Sequence, residues 1–259
     1  MKIRKTAVKG TFYPSDLEET EKMLSEFDKK AKVRPSGRAR ALIVPHAGLV
    51  YSGLTASYAY KYASGFKYRS AVIFAPSHRV GFYGISASEH DEYEYFDQNI
   101  PVNRELTTAL KKNNGLIYLE HAHKFEHSTE VQLPFIRKYL GDASLAVIVY
   151  GETGHQELSY VINDVLDEGN DLVIISTDLS HFHDYETCCN TDKKIIDGIE
   201  KLDIGAASKG EACGLTGIMA MIQSAADKNL SPEILDYRNS GDVTGDKSGV
   251  VGYMSAVLL

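Results

Sequence analysis

The sequence predicts an α/β protein: a single layered α/β/α domain over residues 1–259 with a central mixed, largely parallel sheet. Two observations lead there. Short apolar runs without polar alternation recur at Ala41–Val44, Ala71–Phe74, Leu145–Val149, Leu172–Ile175 and Gly249–Leu259. Runs of this kind suit strands covered on both faces by helices. Helical stretches separate them, and alternation of strand and helix is the order that yields layered α/β folds. No internal repeat and no Pro/Gly/Ser linker divides the chain.

Taken in order, Ser15-Asp-Leu-Glu18 reads as a capping box opening a surface helix to about Lys32. Val33 to Arg40, with Pro35 and Gly37, is a connection to the first apolar strand. Further helices are expected at Ser52–Ser64, Asn103–Asn113, Ser128–Leu140, Gln156–Glu168, Asp184–Lys201 and about Gly214–Lys228. Gly65, Gly115, Gly141 and Gly169 stand where a helix-ending residue with positive φ belongs. Pro134 should kink the Ser128–Leu140 helix or mark its true start. Tyr83 to Pro101 is polar and aromatic and reads as an excursion of short strands.

Composition narrows the function classes. The chain is 43% hydrophobic and 24% charged with a formal charge of −7, which rules out collagen-like, disordered and coiled-coil proteins. No basic stripe interleaved with aromatics occurs, so nucleic acid is not an expected partner. No window approaches 18 apolar residues and no apolar segment follows the N-terminal charges, so neither a membrane span nor a signal peptide is expected. Three cysteines, two of them adjacent (Cys188 and Cys189), make no disulfide framework and fit a cytoplasmic protein.

The chemistry is expected where the apolar runs end. Ala41–Val44 is followed by Pro45-His46, Ala71–Phe74 by Ala75-Pro76-Ser77-His78, and Leu172–Ile175 by Ser176-Thr177-Asp178-Leu179-Ser180-His181. Open α/β sheets bind ligands outside the carboxyl ends of their strands. His46, His78 and the Asp178/His181 pair should therefore meet at one edge. Neutral imidazole is the commonest metal ligand, and His with carboxylate suits Fe(II). Cys213 opens a helix, where backbone amides favour the metal-binding thiolate; read alone, it fits a small buried apolar residue equally well. In Glu126-His127-Ser128-Thr129-Glu130, Ser128 can cap the following helix and His127 can serve as an acid/base. Simple capping and support account for that cluster equally well. His90, His121, His123 and His155 read as solvated, His183 as turned away, and Cys188 and Cys189 as structural. No Gly-rich phosphate loop, G-x-S-x-G elbow or C-x-x-C pair is present.

Together Pro45-His-Ala-Gly-Leu-Val-Tyr-Ser-Gly53, Pro76-Ser-His78, Glu126-His-Ser-Thr-Glu-Val-Gln-Leu-Pro-Phe135, Ser176-Thr-Asp-Leu-Ser-His181 and Ala212-Cys-Gly214 resemble the Memo family (AmmeMemoRadiSam system protein B). The opening Ala7 to Pro14 is similar to that family's start, so the resemblance covers nearly the whole chain. It implies a fold similar to class III extradiol dioxygenases (LigB-like), with a metal held by His46, His78 and Cys213. Asp178 and His181 would line the same pocket, His181 in the place of the dioxygenases' acid/base. Leu49, Ala75 and the Gly-Leu-Thr-Gly217 stretch after Cys213 depart from the commoner pattern.

Thiolate in place of carboxylate moves metal preference from Fe(II) towards Cu or Zn, with Fe(II) the first expectation. The leading expectation is a metal-binding redox protein or oxidoreductase acting on an unknown small molecule or peptide. A zinc-dependent hydrolase and a non-catalytic peptide- or protein-binding module using the same cleft are the alternatives. The family's name adds AMMECR-type and radical S-adenosylmethionine proteins as expected partners.

Overall fold

The structure, a computed structural model, describes residues 1–259. Its main sheet runs in the order Pro232–Asn239, Val250–Leu258, Ala41–Val44, Leu172–Ser176, Ser70–Pro76, Ser144–Tyr150 and Ile85–Ala87. The four strands from Ala41–Val44 to Ser144–Tyr150 are mutually parallel. Val250–Leu258 is antiparallel to both its neighbours, and Ile85–Ala87 closes the far edge antiparallel. The expected mixed, largely parallel sheet is what forms.

Both faces of the parallel strands are buried, and alternate residues divide between two cores. Leu42, Val44, Ile73, Val147 and Ile174 face the helices Leu17–Lys30 and Leu49–Ala63 together with Leu133, Phe135 and Tyr139. Ile43, Phe74, Ile148 and Ile175 face Arg104–Asn114, His155–Glu168, Tyr185–Glu200 and Leu215–Lys228. This is why the strands read as unbroken apolar runs: neither face meets water. A small sheet of Ile3–Arg4, Glu92–Tyr93 and Ile100–Pro101 holds the N-terminus, and it includes two short strands of the expected excursion.

Several local expectations are corrected. The first helix is capped by Asp16, which accepts from the Glu19 amide at 2.9 Å, rather than by a box at Ser15. The single helix expected over Ser128–Leu140 is instead His127–Glu130, Leu133–Phe135 and a π-helical Ile136–Leu140. Pro134 carries no amide hydrogen, so the ladder restarts around it. Glu126, not Ser128, caps the first of these pieces, accepting from the Ser128 amide. Gly115, Gly141 and Gly169 have positive φ as expected, but Gly65 does not. The Pro232–Asn239 edge strand is the one long strand without an apolar run, because its outer side meets solvent and its sequence mixes Glu233, Asp236 and Arg238 into the pattern.

The N-terminal segment is fastened to the middle of the chain by a buried ion pair, Arg4 with Glu130, both side chains essentially inaccessible. Arg4 also donates to the Glu126 carbonyl at 2.7 Å and the His123 carbonyl at 3.2 Å. Glu130 additionally accepts from the Ala7 and Val8 amides and the Tyr13 hydroxyl. Breaking a buried pair strands a charge, which typically costs about 3–5 kcal/mol. Arg4→Met is therefore expected to lower unfolding free energy by about that amount in urea titrations. A loss below about 1 kcal/mol would mean that the remaining donors to Glu130 suffice.

Candidate metal centre

The parallel strands deliver their following residues to one edge. His46 comes two residues after Val44, His78 two after Pro76, and Asp178 two after Ser176. The Leu172–Ser176 strand lies between the other two in the sheet, so Asp178 is delivered to the same edge as the two histidines although it is remote from both in sequence. The loop carrying it is sewn to the C-terminal strand by Leu179 and Ser180 bonding the Gly252 backbone at 2.9 Å each. Asp192 supports the same loop, accepting from the Ser180 amide at 3.0 Å and from the Tyr237 hydroxyl at 2.8 Å.

The His46 and His78 rings meet edge-on with centroids 5.1 Å apart. His127 lies 5.4 Å from the first and 4.5 Å from the second, centroid to centroid, against Phe12. Cys213 completes the group: its Sγ is 3.3 Å from His46 Nε2, near the roughly 3.6 Å expected between two tetrahedral ligands at about 2.0 and 2.3 Å from one ion. One donor atom from each of His46, His78 and Cys213 falls within 4.8 Å of the others. Two imidazoles and a sulfur at that spacing fit a transition-metal ion, and they are the residues the resemblance implied.

Each of these side chains is oriented by buried polar groups. Glu126 takes the His78 amide at 2.6 Å on one oxygen and His78 Nδ1 at 3.0 Å on the other, which leaves His78 Nε2 free. A carboxylate behind a ligating imidazole is the usual support at metal sites. Burial by itself would raise the Glu126 carboxyl. The adjoining His127 and His78 imidazoles, with the His78 amide, outweigh it and hold the group well below the usual carboxylate range. His127 Nδ1 is 3.2 Å from the same oxygen without hydrogen-bond geometry. His78, Glu126 and His127 also lie close enough to hold an ion. Glu126 is already committed to His78 and to the Ser128 amide and hydroxyl, and acts there as a brace.

Asp178 uses one oxygen to accept the His46 and Ala47 amides at 2.7 and 3.2 Å. Its own amide donates to Cys213 Sγ at 3.2 Å, and its carbonyl accepts the Cys213 amide at the same distance. Burial raises its carboxyl. Asp178 thus joins the His46 turn to the Cys213 turn. His181 sits on the short His181–His183 strand paired to Val250–Leu258. There its charge would oppose that of His46 and favour ionised Asp178.

Cys213 precedes the cap of the helix Leu215–Lys228, whose N-cap is Gly214. The expected lowering of its pKa by helix amides is overridden: burial, then the Asp178 carboxylate, pushes the thiol up to about 12. A bound cation would supply the opposing charge that stabilises thiolate. Gly214 is required by closeness, because a Cβ there would lie 2.7 Å from Thr177 Cβ. A cleft of about 450 Å³ opens on this side, lined by Pro76, Val80, Phe82, Glu152, Cys213 and Thr216.

The remaining histidines divide differently from expectation. His121 is exposed and His155 half-buried at a helix start, and His183 pairs with Glu211 at 2.8 Å. His90 and His123, expected in solvent, are buried: His90 bonds Ser88, and His123 bonds Ser86 with its Nδ1 unpartnered. Their polar surroundings in sequence hid the packing of Glu120–Lys124 under the small N-terminal sheet. Sequence reasoning also gave no site role to Glu126, Ser176 or Gln132. Glu126 directly before His127, at a helix-capping position, was the one available signal.

A sequence profile of the Memo-like proteins matches residues 4–257. The chain belongs to the Memo-like protein family. A MEMO1 family protein of Aquifex aeolicus is 33% identical to this Memo-like chain over all of both sequences. A counterpart from Thermoplasma volcanium is 34% identical over 98% of each. Among solved structures, an uncharacterised protein of Escherichia coli K12, JW3007, shares the fold with a TM-score of 0.63 over 86% of this chain and 100% of its own, at 12% identity. No helix is long and apolar enough to cross a membrane.

Burial holds His123 down to about 3 from its ordinary 6.5. A histidine whose folded pKa is lowered costs nothing above its unfolded pKa, and destabilises the fold as pH falls below it. Unfolding free energy should therefore decline between about pH 6.5 and 3, and the decline should be shallower in His123→Gln. Equal slopes for the two proteins in urea titrations across that range would refute the assignment.

Proposed function

We propose that this protein is a metal-dependent redox protein whose ion is held by His46, His78 and Cys213. The observation that carries the reading is the convergence of these donors from separate elements within 4.8 Å, with His78 Nδ1 and the Cys213 sulfur already engaged by buried groups that aim them. Fe(II) is the first candidate, and the thiolate makes Cu or Zn the alternatives. When bound, such an ion supplies Lewis acidity and, for iron or copper, a one-electron couple.

The chain's own residues divide the remaining work. Glu126 holds His78, and Asp178 holds the His46 and Cys213 turns in register. His127, beside both ring ligands and next to the Glu126 carboxylate, is placed to take or give a proton at a molecule bound against those rings. His181, whose charge would act on the Asp178 carboxyl, is the second acid/base candidate. Pro76, Val80 and Phe82 line the cleft beside Cys213, with Glu152 and Thr216 as polar contacts, which suits a small molecule carrying both apolar and polar groups. The fold kinship with class III extradiol dioxygenases that the Memo resemblance implies supports oxidative chemistry over hydrolysis. AMMECR-type and radical S-adenosylmethionine proteins remain the proposed functional associates.

Protein purified without oxygen is expected to carry stoichiometric metal, with His46→Ala and Cys213→Ser each losing most of it. Equal metal content in all three would overturn the ligand set. Metal quantification names the ion, and electron paramagnetic resonance before and after oxidation separates an iron or copper centre, which gains a signal, from zinc, which stays silent. A zinc-only centre with hydrolytic turnover would establish zinc chemistry instead.

A further inference from the structure

His46 Nδ1 lies 2.9 Å from the Ser176 hydroxyl, and the direction of that bond can be worked out from the atoms around it. The Ser176 Oγ is 2.6 Å from the Ser128 carbonyl oxygen. A carbonyl only accepts, so the single hydroxyl hydrogen is directed there. Gln132 Nε2 lies 2.8 Å from the same Oγ and 3.0 Å from the Pro45 carbonyl. The Pro45 carbonyl fixes which end of the Gln132 amide is the nitrogen. The Tyr60 hydroxyl, 2.9 Å from Gln132 Oε1, agrees with that orientation. Ser176 Oγ therefore accepts from Gln132 and has no hydrogen left for His46. All these side chains are buried, so water cannot rearrange the pattern.

We infer that Ser176 and Gln132 are positioning residues that lock His46 in its Nδ1–H tautomer and present the bare Nε2 lone pair to Cys213. Free neutral imidazole side chains in water favour the opposite, Nε2–H form, so the protein has to enforce this one. A ligating imidazole needs its lone pair directed at the ion, and the lock supplies that before any ion arrives. The inference deepens the proposed metal-site reading in its functional consequence, but the tautomer stands on the hydrogen-bond pattern alone.

Long-range proton–nitrogen correlation spectra of the His46 ring, recorded on metal-free protein, read the tautomer directly. A protonated Nδ1 and an unprotonated Nε2 are expected in the wild type. The reverse pattern would overturn the inference whatever the variants do. Ser176→Ala should lose the pattern, and Gln132→Met, which frees the hydroxyl to turn, should shift it partway towards Nε2–H. A Ser176→Ala protein that keeps the wild-type pattern would remove Ser176 from the lock. An unchanged pattern in Gln132→Met would remove Gln132. Backbone amide spectra check that each variant is folded.

Competition titrations with Zn(II) then test the consequence. Loss of such support typically weakens metal binding about 10–100-fold, and that loss is expected for Ser176→Ala. A variant that loses the tautomer and keeps wild-type affinity would confirm the lock and overturn His46 as a ligand, so the two failures are distinguishable.

Discussion

A sheet buried on both faces leaves polar chemistry only one place to go. The strands Ala41–Val44, Ser70–Pro76, Ser144–Tyr150 and Leu172–Ser176 are sealed between two helical layers, and nothing polar along their length could be solvated cheaply. Polar side chains consequently appear as each strand ends, and because the strands are parallel those ends share one edge. The meeting of His46 and His78 is a consequence of that constraint. The insertion of the Leu172–Ser176 strand between the two His-bearing strands then decides which residues meet.

Once the donors are collected, buried acceptors decide how they point. Glu126 orients His78, Ser176 orients His46, and Asp178 bonds the backbones of both the His46 and Cys213 turns. None of the three is free to do otherwise, since each has its donors or acceptors already assigned by neighbouring backbone. The Arg4–Glu130 pair extends this network to the N-terminus, because Arg4 also bonds the Glu126 carbonyl. The site is thereby coupled to segments that contribute no donor of their own. Stability and site geometry here rest on the same buried polar atoms, which are costly to leave unpaired.

Legibility in the sequence followed the same physics. Strands sealed on both faces produce unbroken apolar runs, so their positions were readable to within a residue or two. Pro232–Asn239 was not, because an edge strand has one wet side and its charges resemble a loop. The segment after His127 misled because its periodicity is helical while Pro134 breaks the hydrogen-bond ladder. His90 and His123 were misplaced since burial of a polar residue depends on partners, Ser88 and Ser86, that local pattern does not reveal. Cys213 was found, but the sign of its pKa shift was not: helix amides are a local feature, and burial beside Asp178 is a tertiary one.

By itself the sequence determined the fold class, the motifs at the strand ends and membership of the family, because each is written in short contiguous segments. Tertiary structure alone decided that Asp178 joins the His46 and Cys213 turns, that Glu126 and Ser176 hold the two imidazoles, and that Cys213 faces His46 at 3.3 Å. The physical reason is the range of the interactions. Burial and hydrogen-bond saturation at the site depend on residues as far apart as His46 and Cys213, and only the closed sheet brings them to one edge.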